Sequence, residues 1–121
     1  MKLNIAVLPG DGIGPEVIVQ AVKVLKAIAM EFNHIFTFQK ALVGSSAIDK
    51  TGSPLPEETI SICKKADAVL FGAIGDTKYD EDPDAKIRPE QGLLGIRKEL
   101  DLYTNIRPII AYEDLLSKSS L

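Results

Sequence analysis

The sequence predicts an α/β fold, a largely parallel sheet with flanking helices, from three observations. The short apolar runs LNIAVL, IFTF followed by ALV, and AVLFGA have the length and composition of buried strands. Between them lie stretches whose apolar residues recur at helical spacing. Strand and helix alternate, which points to right-handed βαβ crossovers rather than to hairpins. A chain of 121 residues suits one domain.

Residues 3–8 form the first strand, closed by Pro9 and Gly10. Residues 15–32 follow as a helix. Pro15 suits a first turn, Glu16 complements the positive helix end, and Val17, Ile18, Ala21, Val22, Leu25, Ile28, Ala29 and Phe32 carry the helical period. Residues 35–43 are the second strand. GSSAIDKTGSPLP is a turn-rich connector with room for one short helical turn. Pro56 opens a second helix, PEETISICKKA, whose glutamates and lysines are ordered to complement the dipole. Residues 68–73 are the most apolar strand. A polar loop, GDTKYDEDPDAKIRP, leads to a third helix over residues 90–100 and a short strand over 103–106. Residues 111–121 have weak helical character, and the chain contains no repeat and no low-complexity segment.

Composition excludes several classes of function. The chain is 45% hydrophobic and 26% charged, as in an ordinary globular protein. A net charge of -3 argues against a nucleic-acid partner, which would favour a basic patch. No apolar run approaches the roughly 20 residues of a membrane span. The N-terminal apolar run ends in Gly-Asp-Gly instead of a cleavage site, so the cytoplasm is the expected location. Cys63 has no second cysteine to pair with, fits a reducing compartment, and reads as a small apolar helix residue.

The loop Pro9-Gly10-Asp11-Gly12-Ile13-Gly14-Pro15 permits close backbone approach and leaves free N–H groups of the next helix that could face an anion. Its spacing is G-x-G-x-G, not the G-x-G-x-x-G of a dinucleotide fingerprint, so a plain strand-to-helix turn is an equal alternative. Arg97 and Arg107 each offer the planar fork that grips carboxylates. One lies on a helix and one at a predicted strand end, so the fold could bring both to one dicarboxylate; two surface arginines are the plainer reading. Leu93 precedes Arg97 by one turn and sets an apolar contact beside the cation, which suits a branched alkyl group. Leu94 is expected in the core. Glu90, at the helix start, could accept from a ribose or from Arg107, or serve only as a favourable first-turn charge. Lys78 and Tyr79 sit among Asp76, Asp80, Glu81, Asp82 and Asp84 in a loop without EF-hand spacing, which reads as a solvated acidic loop. His34 has no metal-ligand company and reads as a surface histidine.

LPGDGIGPEV (residues 8–17), DAVLFGAIGDTKYD (67–80) and RPEQGLLGIRKELDLYTNIRP (88–108) together resemble the 3-isopropylmalate dehydrogenase branch of the isocitrate/isopropylmalate dehydrogenase family. They occur in the same order and cover nearly the whole chain. The resemblance implies a non-Rossmann α/β fold and NAD-dependent oxidative decarboxylation of 3-isopropylmalate in leucine biosynthesis. It also implies help from magnesium or manganese and a cytoplasmic homodimer. Arg97 and Arg107 match substrate-carboxylate binders, and Leu93 matches a contact to the isopropyl group. Ile13, Asp80 and Glu90 match positions near the nicotinamide ribose. Gly75, Asp76, Thr77, Lys78 and Tyr79 match part of the cofactor site. The chain departs from the family pattern at Thr77, Tyr79, Ser45-Ser46 and Asp101.

Nothing in residues 1–121 matches the family's third substrate arginine, its catalytic tyrosine and lysine, its metal-binding aspartates or its adenine-binding loop. No catalytic residue and no metal ligand is therefore assigned here. The chain is expected to be an incomplete N-terminal part, inactive alone, with the dimer contacts in the missing part. The alternatives are a related isocitrate or homoisocitrate enzyme, against which Leu93-Leu94 argue, and a non-catalytic binding or assembly module.

Overall fold

The computed structural model describes residues 1–81, 85–110, 112, 113 and 118. The first strand, β1 (Lys2–Gly10), is buried from Ile5 to Leu8, as a strand covered on both faces must be. It lies between two parallel neighbours, β2 (Ile35–Lys40) and β3 (Ala68–Ala73), in the order β2-β1-β3. Ile5 stands opposite Phe38 on one side and Ala68 on the other.

Alternation along β1 sends its side chains to two helix layers. Ile5 and Val7 pack with Ile18, Val22 and Leu25 of α1 (Gly14–Glu31). Ala6 and Leu8 face the opposite way and join Val43, Cys63 of α3 (Glu57–Lys65) and Ile96 of α5 (Glu90–Glu99). A salt bridge of 2.6 Å between Lys64 and Glu99 links α3 to α5 at the surface. The α/β architecture with a parallel sheet is as the sequence predicts.

Local chemistry explains where the elements differ from expectation. The connector holds α2 (Ser45–Thr51), a longer helix than one turn, closed by Gly52 in the left-handed conformation. Pro56 caps α3 instead of opening it, its extended backbone leading into Glu57. The second strand stops at Lys40 and not at 43, because Val43 turns into the core and the Leu42 carbonyl accepts from Thr59 Oγ1 at 2.7 Å. The polar loop contains a four-residue helix, α4 (Thr77–Asp80), capped by Asp76, whose carboxylate accepts from Lys78 N at 3.1 Å.

The strand expected over residues 103–106 does not form. Tyr103 is 98% and Ile106 82% exposed, and among the described residues no neighbouring strand lies beside them to complete a ladder. The weakly helical segment expected at residues 111–121 lies mostly outside the described residues. Cys63 is buried, and that burial pushes its thiol above the ordinary range. His34 is half-buried beside the rings of Phe32 and Phe36, with Nδ1 3.2 Å from the N-terminal amine. Among the described residues, no helix is long and apolar enough to cross a membrane.

Candidate cofactor rim and substrate hollow

Because β1 is followed by β2 on one side and β3 completes the other, the strand order reverses beside β1. Ligands of open parallel sheets bind outside the carboxyl ends of the strands at such a switch. Here that crevice is built by close backbone contact. Asp11 N donates to the Ala73 carbonyl at 2.8 Å. Gly10 has φ +73°, and a Cβ there would collide with the Ala73 carbonyl oxygen. A Cβ at Gly14 would collide with the Pro9 carbonyl oxygen.

The helix that follows does not present an anion cradle. Gly14 N donates to Asp11 O, Glu16 N and Val17 N donate to Ile13 O, and Pro15 has no N–H. The first-turn donors are thus spent within the turn, and the plain strand-to-helix reading of the glycine loop is the one that fits.

Asp11 was not singled out in the sequence, yet it organises the rim. It is 4% exposed. Oδ2 accepts from Ser45 N at 2.9 Å and Gly75 N at 3.3 Å, while Oδ1 accepts from Ser46 N at 3.1 Å. The carboxylate therefore caps α2 from a distant loop and fixes the start of the β3–α4 loop. The N-cap residue of α2, Gly44, has no side chain with which to do so.

Three of the expected cofactor positions meet at this rim. Ile13 is 58% exposed beside the glycine turn. Gly12 approaches Gly75, since a Cβ at Gly12 would lie 3.9 Å from the Gly75 carbonyl oxygen. A Cβ at Gly75 would lie 3.5 Å from Glu90 Oε1. Gly12, Gly75 and Glu90 are thereby gathered from three segments, with Ile13 next to Gly12 in the turn. Asp76 caps α4, and Thr77 lies on its exposed surface. Lys78 Nζ and Tyr79 Oη both reach Asp49 Oδ1 on α2, at 2.6 and 3.0 Å. Arg88 Nη1 donates to the Tyr79 carbonyl at 3.2 Å from the far limb of the loop. The described part of the acidic loop is exposed or partly exposed, as a solvated loop would be, but Lys78, Tyr79 and Asp76 also make specific hydrogen bonds there. The side chain of Asp80 and all of Asp82 and Asp84 lie outside the described residues.

The substrate residues divide. Leu93 and Arg97 line one open hollow of about 380 Å³ between α5 and β3, with Phe71, Ile96 and Leu102. On α5 they follow Glu90 at i+3 and i+7, so the helix carries a carboxylate, an alkyl contact and a cation along one stripe. Leu94 is 62% exposed, against the expectation that it packs in the core; the helix turns Gly92 and Ile96 inward instead. Arg107 is not part of the hollow. It sits in the exposed segment after α5, where among the described residues no strand forms to aim it toward Arg97. Among the described residues, no group of three His, Cys, Asp or Glu side chains could hold a metal ion.

The sequence profile of the isocitrate/isopropylmalate dehydrogenase family matches residues 4–121. The chain belongs to this family. It is 57% identical over 118 residues to the 3-isopropylmalate dehydrogenase of Bacillus caldotenax, covering 98% of this chain and 32% of that protein. It is 55% identical over 121 residues to the protein of the same name from Bacteroides fragilis, covering all of this chain and 34% of that protein. The chain thus spans about a third of the length of these relatives. Among solved structures, a β-decarboxylating dehydrogenase from Thermococcus kodakarensis superposes with TM-score 0.65 at 40% identity, over 83% of this chain and 27% of that one. An isocitrate dehydrogenase from Methylococcus capsulatus superposes with the same TM-score at 27% identity, over 83% and 26%. Isocitrate/isopropylmalate dehydrogenases are decarboxylating enzymes, and the switch-point rim is the part of that scaffold present here.

Proposed function

We propose that this chain is the N-terminal part of an NAD-dependent enzyme that oxidatively decarboxylates 3-isopropylmalate in leucine biosynthesis, supplying a cofactor rim and part of the substrate grip. The observation that carries the reading is the convergence of Ile13, Gly75 and Glu90 at the carboxyl ends of β1 and β3, with Leu93 and Arg97 on the helix that Glu90 begins. NAD, when bound, accepts the hydride. The residues suited to hold its nicotinamide ribose are Ile13, Glu90 and the Gly75–Asp80 backbone. Glu90 can accept from ribose hydroxyls, and Ile13 offers an apolar surface.

Arg97 suits a substrate carboxylate through its fork of donors, and Leu93 suits the alkyl branch beside it. Arg107 is the second carboxylate partner in this reading and must be brought in by an ordering of its segment. An alkyl pocket discriminates by only about 1–3 kcal/mol per methylene, so some tolerance toward related malates follows. The described residues do not fit a magnesium or manganese site, so no step is assigned to a metal within them. The groups that move protons and bind metal belong, in this reading, to sequence outside these 121 residues, as do the homodimer contacts of a cytoplasmic enzyme.

The test is calorimetric titration of the chain with 3-isopropylmalate and with isocitrate, alongside an assay for NADH formation in the presence of manganese. Tighter binding of 3-isopropylmalate and no turnover are expected. Metal-dependent turnover by the 121-residue chain would overturn the division of labour. Preference for isocitrate would overturn the alkyl reading of Leu93.

A further inference from the structure

We infer that Asp49 is a positioning residue for the cofactor loop, latching α4 onto α2 through Lys78 and Tyr79. This rests on the reading of residues 75–80 as cofactor-binding. A helix as short as α4 has little stability of its own, because nucleation costs more than one turn returns. Its place must be set from outside. Asp49 Oδ1 accepts from Lys78 Nζ at 2.6 Å and from Tyr79 Oη at 3.0 Å, and the same ammonium stands 5.2 Å from the Tyr79 ring centroid. The three side chains close into one unit.

The loop is held at a second point by the same helix. Asp11 binds Gly75 N and the N-terminus of α2 together, so α2 fixes the loop at Gly75 and again at Lys78 and Tyr79. Arg88 draws in the opposite limb through the Tyr79 carbonyl. The α2 platform lies in the turn-rich connector, where the sequence suggests only one short helical turn.

Exposure limits what this latch does for stability, since Lys78 and Asp49 side chains are 60% and 50% exposed and such pairs contribute little to folding. Its effect belongs to affinity. A loop already in its binding geometry spares the ligand the cost of ordering it. Asp49 need not touch the cofactor to change how tightly it binds.

The experiment is an NMR titration of the chain with oxidised nicotinamide mononucleotide, which probes the ribose–nicotinamide site without adenine. Wild type is compared with Asp49→Asn, Lys78→Met, the double variant, and the charge swap Asp49→Lys with Lys78→Asp. Asp49→Asn should weaken binding about 2- to 5-fold, the range expected for loss of an exposed pair. The double variant should be no worse than the weaker-binding single variant, and the swap should recover the part of the affinity owed to the ion pair, the Tyr79 hydrogen bond having lost its acceptor. Wild-type affinity in Asp49→Asn, or losses that simply add, would overturn the latch. A wild-type chain that does not bind the mononucleotide overturns the cofactor reading, and the latch with it, before any variant is needed.

Discussion

At the carboxyl ends of β1 and β3 each placement is made by a contact within the chain, whereas residues 101–110 carry equally suggestive side chains and are held by almost nothing. Gly10, Asp11 and Ala73 interlock through backbone atoms, and Asp11 binds three amides from two other segments. After α5, Tyr103, Ile106, Ile109 and Ile110 are 98, 82, 92 and 73% exposed. A side chain becomes part of a site when the backbone beneath it is over-determined. Arg97 has that support from α5, and Arg107 lacks it.

The largest effect expected within the rim is from Gly10→Ala. It forces a Cβ into the Ala73 carbonyl at φ +73° and should cost about 3–5 kcal/mol, read from urea melts. Gly52→Ala is the control, because its φ is also positive, 76°, but its Cβ would meet nothing within 4 Å; about 1 kcal/mol is expected. Equal costs would break the claim that backbone contact sets the rim. Asp11→Ala comes next, at about 2–3 kcal/mol for a buried carboxylate's lost amide partners, with Asp11→Asn milder.

Arg97→Ala and Arg107→Ala sharpen the contrast. Both should leave stability within about 0.5 kcal/mol, as exposed substitutions do. Arg97→Ala should weaken 3-isopropylmalate binding by about 10-fold or more, the loss of a charge-assisted contact. Arg107→Ala should cost less than Arg97→Ala in this chain, because ordering its segment offsets part of what the second carboxylate contact contributes; equal losses would mean that the segment after α5 orders on the ligand at little cost.

The smallest effect is electrostatic. The hydrogen bond from Lys64 holds Glu99 below the usual carboxylate range, and Glu99 holds Lys64 above the usual lysine range. The Glu99 contribution is present above its unfolded value and is lost as pH falls through its lowered folded value. The Lys64 contribution is present below its unfolded value and is lost as pH rises through its raised folded value. Melting curves of wild type and Glu99→Gln should therefore differ slightly near neutrality, converge at both extremes, and converge in high salt.

Strands and helices with strong periods were legible: LNIAVL, AVLFGA and the apolar stripe of α1 need only local pattern and burial. The family was legible from the three motifs around Gly12, Gly75 and Arg97. Asp11 and Asp49 were not legible as organisers, because their partners lie 29 to 64 residues away and contact over such separations leaves no local period. The strand over 103–106 was misread for the converse reason. Its side chains suit a strand, but a strand also requires a neighbour, which composition does not reveal.

The position of β1 between β2 and β3 also orders events in time. Ile5 finds Phe38 across one short crossover but reaches Ala68 only after a loop about twice as long has closed. Longer closures lose more chain entropy before any contact repays it. The β1-α1-β2 unit can therefore assemble first, with β3 adding afterwards. The rim depends on Ala73 and Gly75, so on this entropic ground the contacts around Asp11 close only once β3 has joined the sheet.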